Sequence, residues 1–220
     1  MNTLQVPQKG AGISEFLFGK STLPNHVQSM LDQHGKSKIV NLSVCRVPIE
    51  EGLERAMNLA SLGQLEKLKK SLHYDKLFHL FLRIETDTGS IISLEKNEIL
   101  TMLENPDQFY STRGVQCLPV ALKKQISVSE LLDKTIANFG EDVLHYDLVT
   151  NNCQTFLNQV LFTNGLLTDK LNKFINQDIR AISAKLPTGL TWLATKLVRL
   201  TERLRYLTGE GKGNAPLIPF

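Results

Sequence analysis

The segment from Lys76 to Leu94 constrains the fold most, because its pattern is typical of two strands joined by a tight turn. A dense apolar and aromatic run, Lys76–Glu85, is followed by the turn sequence Thr86–Gly89 and by a second short run, Ser90–Leu94. Runs of this length on either side of a glycine-containing turn are typical of a β-hairpin. We therefore expect an antiparallel pair of strands with His79 inside the first one.

The rest of the chain mixes strands and helices without a regular βαβ alternation. The expected elements are a strand at 39–49 that Pro48 ends, helices at 50–62 and 64–72, a strand at 115–120 and a helix from Ser127 to Phe139. Ser127 and Glu130 have the spacing of a capping box, and Gly140 is a stop signal. This order of elements predicts an α+β fold.

A second informative stretch, Asn151–Phe156, places Cys153 in the first turn of a predicted helix. Asn151 is a good N-cap residue, Gln154 follows it at capping-box spacing, and Asn164–Gly165 is a typical helix end. The free N–H groups and the positive dipole end of a helix N-terminus favour a charged sulfur. Cys153 is therefore the predicted nucleophile, and it needs a base.

His79 is the predicted base, since neighbours in a core strand can fix the ring. A carboxylate or an amide on the adjacent strand can hold the far ring nitrogen, and Glu95 and Asn97 are both candidates for this third position. A lone cysteine in an apolar segment is more often a small buried hydrophobic residue than a nucleophile, and we expect this of Cys45 and Cys117.

A strand histidine, a short second strand with a polar orienting residue and an Asn-Cys-x-x-Phe helix start follow one another here. In this order the chain resembles the circularly permuted papain-like, NlpC-like thiol hydrolases and acyltransferases, which include lecithin:retinol acyltransferase and its small phospholipase/acyltransferase relatives. Their Asn-Cys-Glu-His-Phe pattern is matched at three of five positions by Asn152–Phe156. The resemblance covers residues 39–165 and implies a permuted papain-like domain with Cys153 and His79 as catalytic residues. Relatives that act on acyl chains often carry a second histidine on the next strand, where this chain offers Ser93 or Glu95.

Composition places this site in one main domain. The chain has 220 residues, 42% of them hydrophobic and 21% charged, which is enough for a full core with appendages. Three scattered cysteines favour a reducing, cytoplasmic compartment over a disulfide-rich secreted protein. No apolar stretch reaches the roughly 18 residues needed to span a bilayer. The histidines lack metal-ligand spacing with the cysteines, so neither a metal nor a cofactor is expected.

The C-terminal segment carries a separate pattern of leucines and positive charge. Between Arg180 and Lys212 there are seven basic residues and two acidic ones, in a chain of net charge +3. Six leucines recur at alternating spacings of three and four, as on one helix face: Leu190, Leu193, Leu197, Leu200, Leu204 and Leu207. Such a basic helix can dock on its own domain, pair with a partner helix or a second copy, or bind an anionic membrane surface. Docking or self-association is the favoured prediction. Nucleic acid is not an expected partner.

These expectations define a flexible N-terminal arm at 1–38, a permuted papain-like domain at 39–165 and a basic amphipathic helical tail at 166–220. The expected activity is that of a cysteine hydrolase or acyltransferase acting on a peptide, an isopeptide or a lipid ester. The alternative is an inactive structural or adaptor protein of the same fold, attached through its tail to a membrane or to a larger assembly such as a viral particle. A viral or mobile-element origin also fits a compact hydrolase with arms.

Overall fold

The computed structural model of the chain describes residues 23–49, 77–97, 99–110, 114–146 and 151–176, together with positions 55, 58, 63, 66, 67 and 70. In chain order, the elements within these residues are α1 (Asn25–His34), β1 (Ile39–Pro48), β2 (Phe78–Thr86), β3 (Ile91–Lys96), β4 (Leu100–Glu104), α2 (Asp107–Tyr110), β5 (Gln116–Pro119), α3 (Val128–Phe139), a 3-10 helix (Glu141–Leu144), α4 (Cys153–Thr163) and α5 (Asp169–Ile175).

The strands form one antiparallel sheet in the order β4-β3-β2-β1-β5. The predicted hairpin is β2 and β3, in which Leu82 pairs with Leu94. Gly89 in the connecting turn has a φ of 83°, a backbone conformation that favours glycine. A sheet of this kind combined with helices confirms the α+β class, and the strands predicted at 39–49 and 115–120 are β1 and β5.

Helices pack against the sheet and form the main core. Leu80, Leu82 and Ile84 alternate along β2 and are at most 1% exposed. α4 packs on β2 and β3, and four of its apolar side chains are fully buried: Phe156, Leu157, Val160 and Leu161. Burying one such side chain contributes about 1.5–3 kcal/mol. This packing fixes the position of α4, and hence of its first residue, relative to the two strands.

A smaller cluster is formed by Cys45, Val47, Phe81 and Tyr110. Along β2, Phe81 alternates with the main-core residues Leu80 and Leu82, so it projects from the other face of the strand. Its ring stacks on that of Tyr110, with 4.5 Å between the centroids. This cluster brings α2 against the sheet near the end of β3.

Parts of the predicted arm and of the predicted tail contribute to the main core. α1 lies within the predicted arm, yet Leu23 and Val27 are buried in the main core. α5 lies within the predicted tail, and its Leu171 and Ile175 are buried in the same core. Their burial was not predicted from the sequence because each segment contributes only a few apolar residues, whose burial depends on the sheet beside them. The six leucines of the tail and its seven basic residues from Arg180 to Lys212 lie outside the described residues.

Cys45 and Cys117 are not separate buried residues, because a disulfide joins them. Their strands, β1 and β5, pair antiparallel and place the two residues directly opposite each other, although 72 positions separate them in the sequence. Cys45 is buried and Cys117 is exposed. This pairing removes the cysteine argument for a reducing compartment. Within the described part of the chain, no helix is both long enough and apolar enough to cross a membrane.

Candidate active site

Two neighbouring strands and one helix supply the candidate site. Because β2 and β3 are antiparallel, the start of β2 and the end of β3 lie at the same end of the hairpin. His79 is the second residue of β2, and Glu95 and Lys96 are the last two residues of β3. α4 packs on both strands, so its N-terminus can reach this end of the sheet.

Cys153 is the first residue of α4, as predicted for the first helical turn. The N-cap is Asn152, whereas the sequence pattern predicted Asn151. The Asn152 side-chain oxygen accepts hydrogen bonds from the N–H groups of Gln154, at 2.9 Å, and Thr155, at 3.1 Å. The cap therefore leaves the Cys153 N–H unused, and this N–H donates to no group among the described residues. The thiol is free and only partly buried.

His79 connects Cys153 to Glu95. Its ring interacts with the Cys153 side chain, and this interaction favours the protonated ring. Its Nε2 lies 2.6 Å from Oε2 of Glu95. The His79 side chain is 20% exposed and that of Glu95 is fully buried, so the ring lies between a protected carboxylate and a partly accessible thiol.

The neighbours of His79 favour its charged form. Burial alone would lower the pKa of His79, but the hydrogen bonds with Cys153 and Glu95 and the negative charges of both partners outweigh it, and they raise the pKa to about 10. Burial would likewise raise the pKa of Glu95, but its hydrogen bonds and the charge of His79 hold that pKa below its usual value. The pair is therefore an imidazolium and a carboxylate at neutral pH.

Glu95 is held by two further side chains that the sequence analysis did not assign to this role. The Tyr110 hydroxyl donates to Oε2 at 2.9 Å, and the Ser93 hydroxyl donates to Oε1 at 3.2 Å. Ser93 could have been found, because residues two apart in a strand share a face. Tyr110 had no such signal, since α2 begins at Asp107, at the end of Asn105–Asp107, a segment whose composition predicts only a loop. These bonds fix the carboxylate that orients His79.

Lys96, at the end of β3, is a further residue near the site that the sequence pattern did not predict. Its side chain is fully buried, and its Nζ lies 2.5 Å from the Val143 carbonyl oxygen and 2.8 Å from Oδ1 of Asn151. Burial lowers the pKa of Lys96 to about 8, although the negative charge of Cys153 opposes this shift. A buried lysine whose side chain interacts with the candidate nucleophile is a rare feature in proteins.

Of the two candidates for the third position, Glu95 contacts His79 and Asn97 does not. Asn97 donates its backbone N–H to the Ile99 carbonyl, which closes the turn between β3 and β4. Across the described ranges, no three histidine, cysteine or carboxylate side chains are grouped so that they could hold a metal ion.

This geometry contains the groups that nucleophilic catalysis requires. A partly exposed thiol contacts a histidine, the histidine is oriented by a buried carboxylate, and a free backbone N–H lies beside the sulfur. Such an arrangement can activate a sulfur for attack on a carbonyl carbon.

Comparisons with protein-family models, with curated proteins and with solved structures found no match to this chain. The resemblance to permuted papain-like enzymes therefore depends on the residues around His79 and Cys153 and on their order along the chain.

Proposed function

We propose that this chain is a cysteine-dependent hydrolase or acyltransferase that acts on an amide, an isopeptide or an ester. Cys153 is the nucleophile, His79 transfers the proton and Glu95 orients the ring. The observation that carries the proposal is the series Cys153–His79–Glu95, in which the His79 ring interacts with the Cys153 side chain and forms a hydrogen bond with the fully buried carboxylate of Glu95. Substrate would approach the series from the Cys153 side, because the thiol is partly accessible and the carboxylate of Glu95 is not.

The reaction begins with the thiolate of Cys153 and the imidazolium of His79. The sulfur attacks the substrate carbonyl carbon, and the oxygen that becomes negative is stabilised by the unused N–H of Cys153. His79 gives its proton to the departing amine or alcohol, which leaves an acyl group on the sulfur as a thioester. Neutral His79 then takes a proton from water or from an acceptor, whose oxygen or nitrogen attacks the thioester. This step releases the product and restores the ion pair.

The proposed fold is the permuted papain-like domain. Support comes from the chain order of a histidine on β2, its orienting carboxylate on β3 and a cysteine at the start of α4. The antiparallel pairing of β2 and β3 is needed to bring the first two residues together.

The test is the rate at which iodoacetamide alkylates Cys153 at pH 6, followed by mass spectrometry of the peptide that contains it. The Cys45–Cys117 disulfide stays oxidised, so Cys153 is the free thiol in the assay. We expect alkylation at least about tenfold faster than that of free cysteine, whose thiolate fraction is small at this pH.

His79→Ala should remove this acceleration, since the thiolate loses its cationic partner. His145→Ala is the matched control, because His145 is exposed and takes no part in the series. A wild-type thiol that reacts no faster than free cysteine would support the inactive adaptor in place of the enzyme.

A further inference from the structure

Lys96 is a buried cation whose hydrogen-bond partners are both neutral. Its two partners are the Val143 carbonyl and the Asn151 side-chain oxygen, and no described carboxylate forms an ion pair with it. Lysine is almost never fully buried without a compensating charge, because removing an ammonium from water is unfavourable. A structural role alone does not explain why a charged residue is buried at this position.

The charges of the candidate site supply the missing compensation. In the thiolate–imidazolium state that the proposed reaction starts from, Glu95 and Cys153 each carry a negative charge and His79 carries one positive charge. The set would be negative overall in a largely buried place, which is unfavourable. Adding the ammonium of Lys96 makes the group of four neutral. The need arises because the third position holds a carboxylate rather than a neutral amide such as that of Asn97.

Lys96 is also tied to the turn that carries the nucleophile. Asn151, which accepts from Lys96, donates its own side-chain amide to the Asp142 carbonyl at 2.5 Å. The next residue, Asn152, is the N-cap of α4. Successive side chains of a strand point to opposite faces, so Glu95 reaches His79 while Lys96 reaches the turn before Cys153. The last two residues of β3 thus contact both parts of the site: Glu95 holds His79, and Lys96 holds the turn before Cys153.

We propose that Lys96 is a positioning residue whose ammonium neutralises the excess negative charge of the site and thereby stabilises the Cys153 thiolate. This inference depends on the proposed function, since it deepens the account of the same site. Cys153 is the titratable described side chain whose charge acts on Lys96, while the 3-10 helix and Asn151 present neutral oxygens to it. The geometric link between the two residues is Asn151, which accepts from Lys96 Nζ and lies two positions before Cys153.

The test is the pH dependence of Cys153 alkylation by iodoacetamide in the wild-type chain, Lys96→Met and Lys96→Gln. Met keeps the length of the side chain without charge or donor, and Gln keeps a donor without charge. Both variants should move the midpoint of the alkylation curve to higher pH. The rate at pH 6 then falls roughly tenfold for each unit of that shift. The difference should vanish at high pH, once Lys96 has itself lost its proton above about 8.

The control is Lys38→Met, a lysine that pairs with Glu130 at 3.7 Å on the surface, and its curve should match the wild type. An unchanged midpoint in both Lys96 variants overturns the proposal, and so does full recovery in Lys96→Gln, because the hydrogen bonds alone would then explain the role. If both variants fail to fold, Asn151→Asp places a carboxylate on the ammonium, and it must also shift the midpoint upward for the proposal to stand. A slow wild-type thiol would defeat the proposed function, whereas a fast wild-type thiol with unchanged variants defeats only the role of Lys96.

Discussion

At the scale of single residues, the buried carboxylate of Glu95 determines both the orientation and the charge of the site. It accepts hydrogen bonds from His79, Tyr110 and Ser93. Leaving a buried acceptor of this kind without partners would cost about 1–3 kcal/mol, so the three donors hold it in one position. The ring of His79 inherits that position.

Glu95→Gln keeps the shape of the side chain and removes its charge. The pKa of His79 should fall, since a negative neighbour that holds it near 10 is gone. The alkaline side of the pH–activity profile should then move to lower pH, and the rate of substrate turnover should drop about tenfold or more. Glu104→Gln is the control, because the Glu104 side chain is half exposed. Identical profiles in the wild type and Glu95→Gln would exclude Glu95 from the series.

The raised pKa of His79 also predicts how the free energy of unfolding depends on pH. A folded-state pKa above the unfolded value of 6.5 means that the charged ring stabilises the fold. This stabilisation is complete below about pH 6.5 and is lost as the pH rises toward about 10. The free energy of unfolding, measured with urea between about pH 7 and pH 10, should therefore fall more steeply for the wild type than for His79→Gln. Parallel curves would show that the ring gains no proton affinity on folding.

At the scale of elements, local signals predicted most of the pieces near the site. The hairpin was predictable because two apolar runs flank Thr86–Gly89, and α3 begins at the predicted capping box, where Ser127 and Glu130 bond each other's N–H groups. The N-cap of α4 was misplaced by one residue, since Asn151 and Asn152 are chemically the same choice. Only the three-dimensional structure shows that Asn152 caps the helix and that Asn151 binds Lys96.

Contacts between segments that are distant in the sequence could not be predicted from local patterns. The Cys45–Cys117 disulfide depends on β5 pairing with β1, and no local pattern states which strands are neighbours. The bond from Tyr110 to Glu95 likewise requires α2 to fold back onto the sheet. Both features depend on topology, whereas the positions of His79 and Cys153 within their own elements are local properties.

Asn152→Ala tests whether the cap of α4 positions the nucleophile. Removing an N-cap acceptor that serves two N–H groups should cost about 1–2 kcal/mol of stability. It should also slow alkylation of Cys153 severalfold, because the first turn loosens. Ser127→Ala removes the cap of α3 and should lower stability by a similar amount without affecting the thiol. Equal alkylation rates in the two variants would separate capping from reactivity.

At the scale of the whole molecule, the expected role of the basic C-terminal segment does not depend on the activity of the candidate site. The buried core described between residues 23 and 176 includes α1 and α5, so it is larger than the 39–165 domain expected from sequence. The leucines between Leu190 and Leu207 remain a prediction of docking to this domain, to a partner helix or to a second copy.

Removal of residues 180–220 decides between docking and membrane binding. If the leucines dock, the truncated chain should aggregate, as judged by light scattering, because an apolar surface is uncovered. A well-behaved truncated chain that only loses salt-sensitive binding to anionic liposomes would favour the membrane. In either case, the alkylation rate of Cys153 should stay within about twofold of the full chain, because His79 and Lys96, the side chains proposed to act on the thiol, lie outside the removed segment.

The most direct test of the central claim is the transfer of an acyl group from p-nitrophenyl acetate to Cys153. The wild type should release a rapid burst of p-nitrophenol and carry an acetyl group on Cys153, detected by mass spectrometry after acid quenching. Cys153→Ala should show neither, and His79→Ala should show a burst at least about 100-fold slower. An acetyl group that forms on Cys153 equally fast with and without His79, or that never forms in the wild type, would contradict the assignment of Cys153, His79 and Glu95 as one catalytic unit.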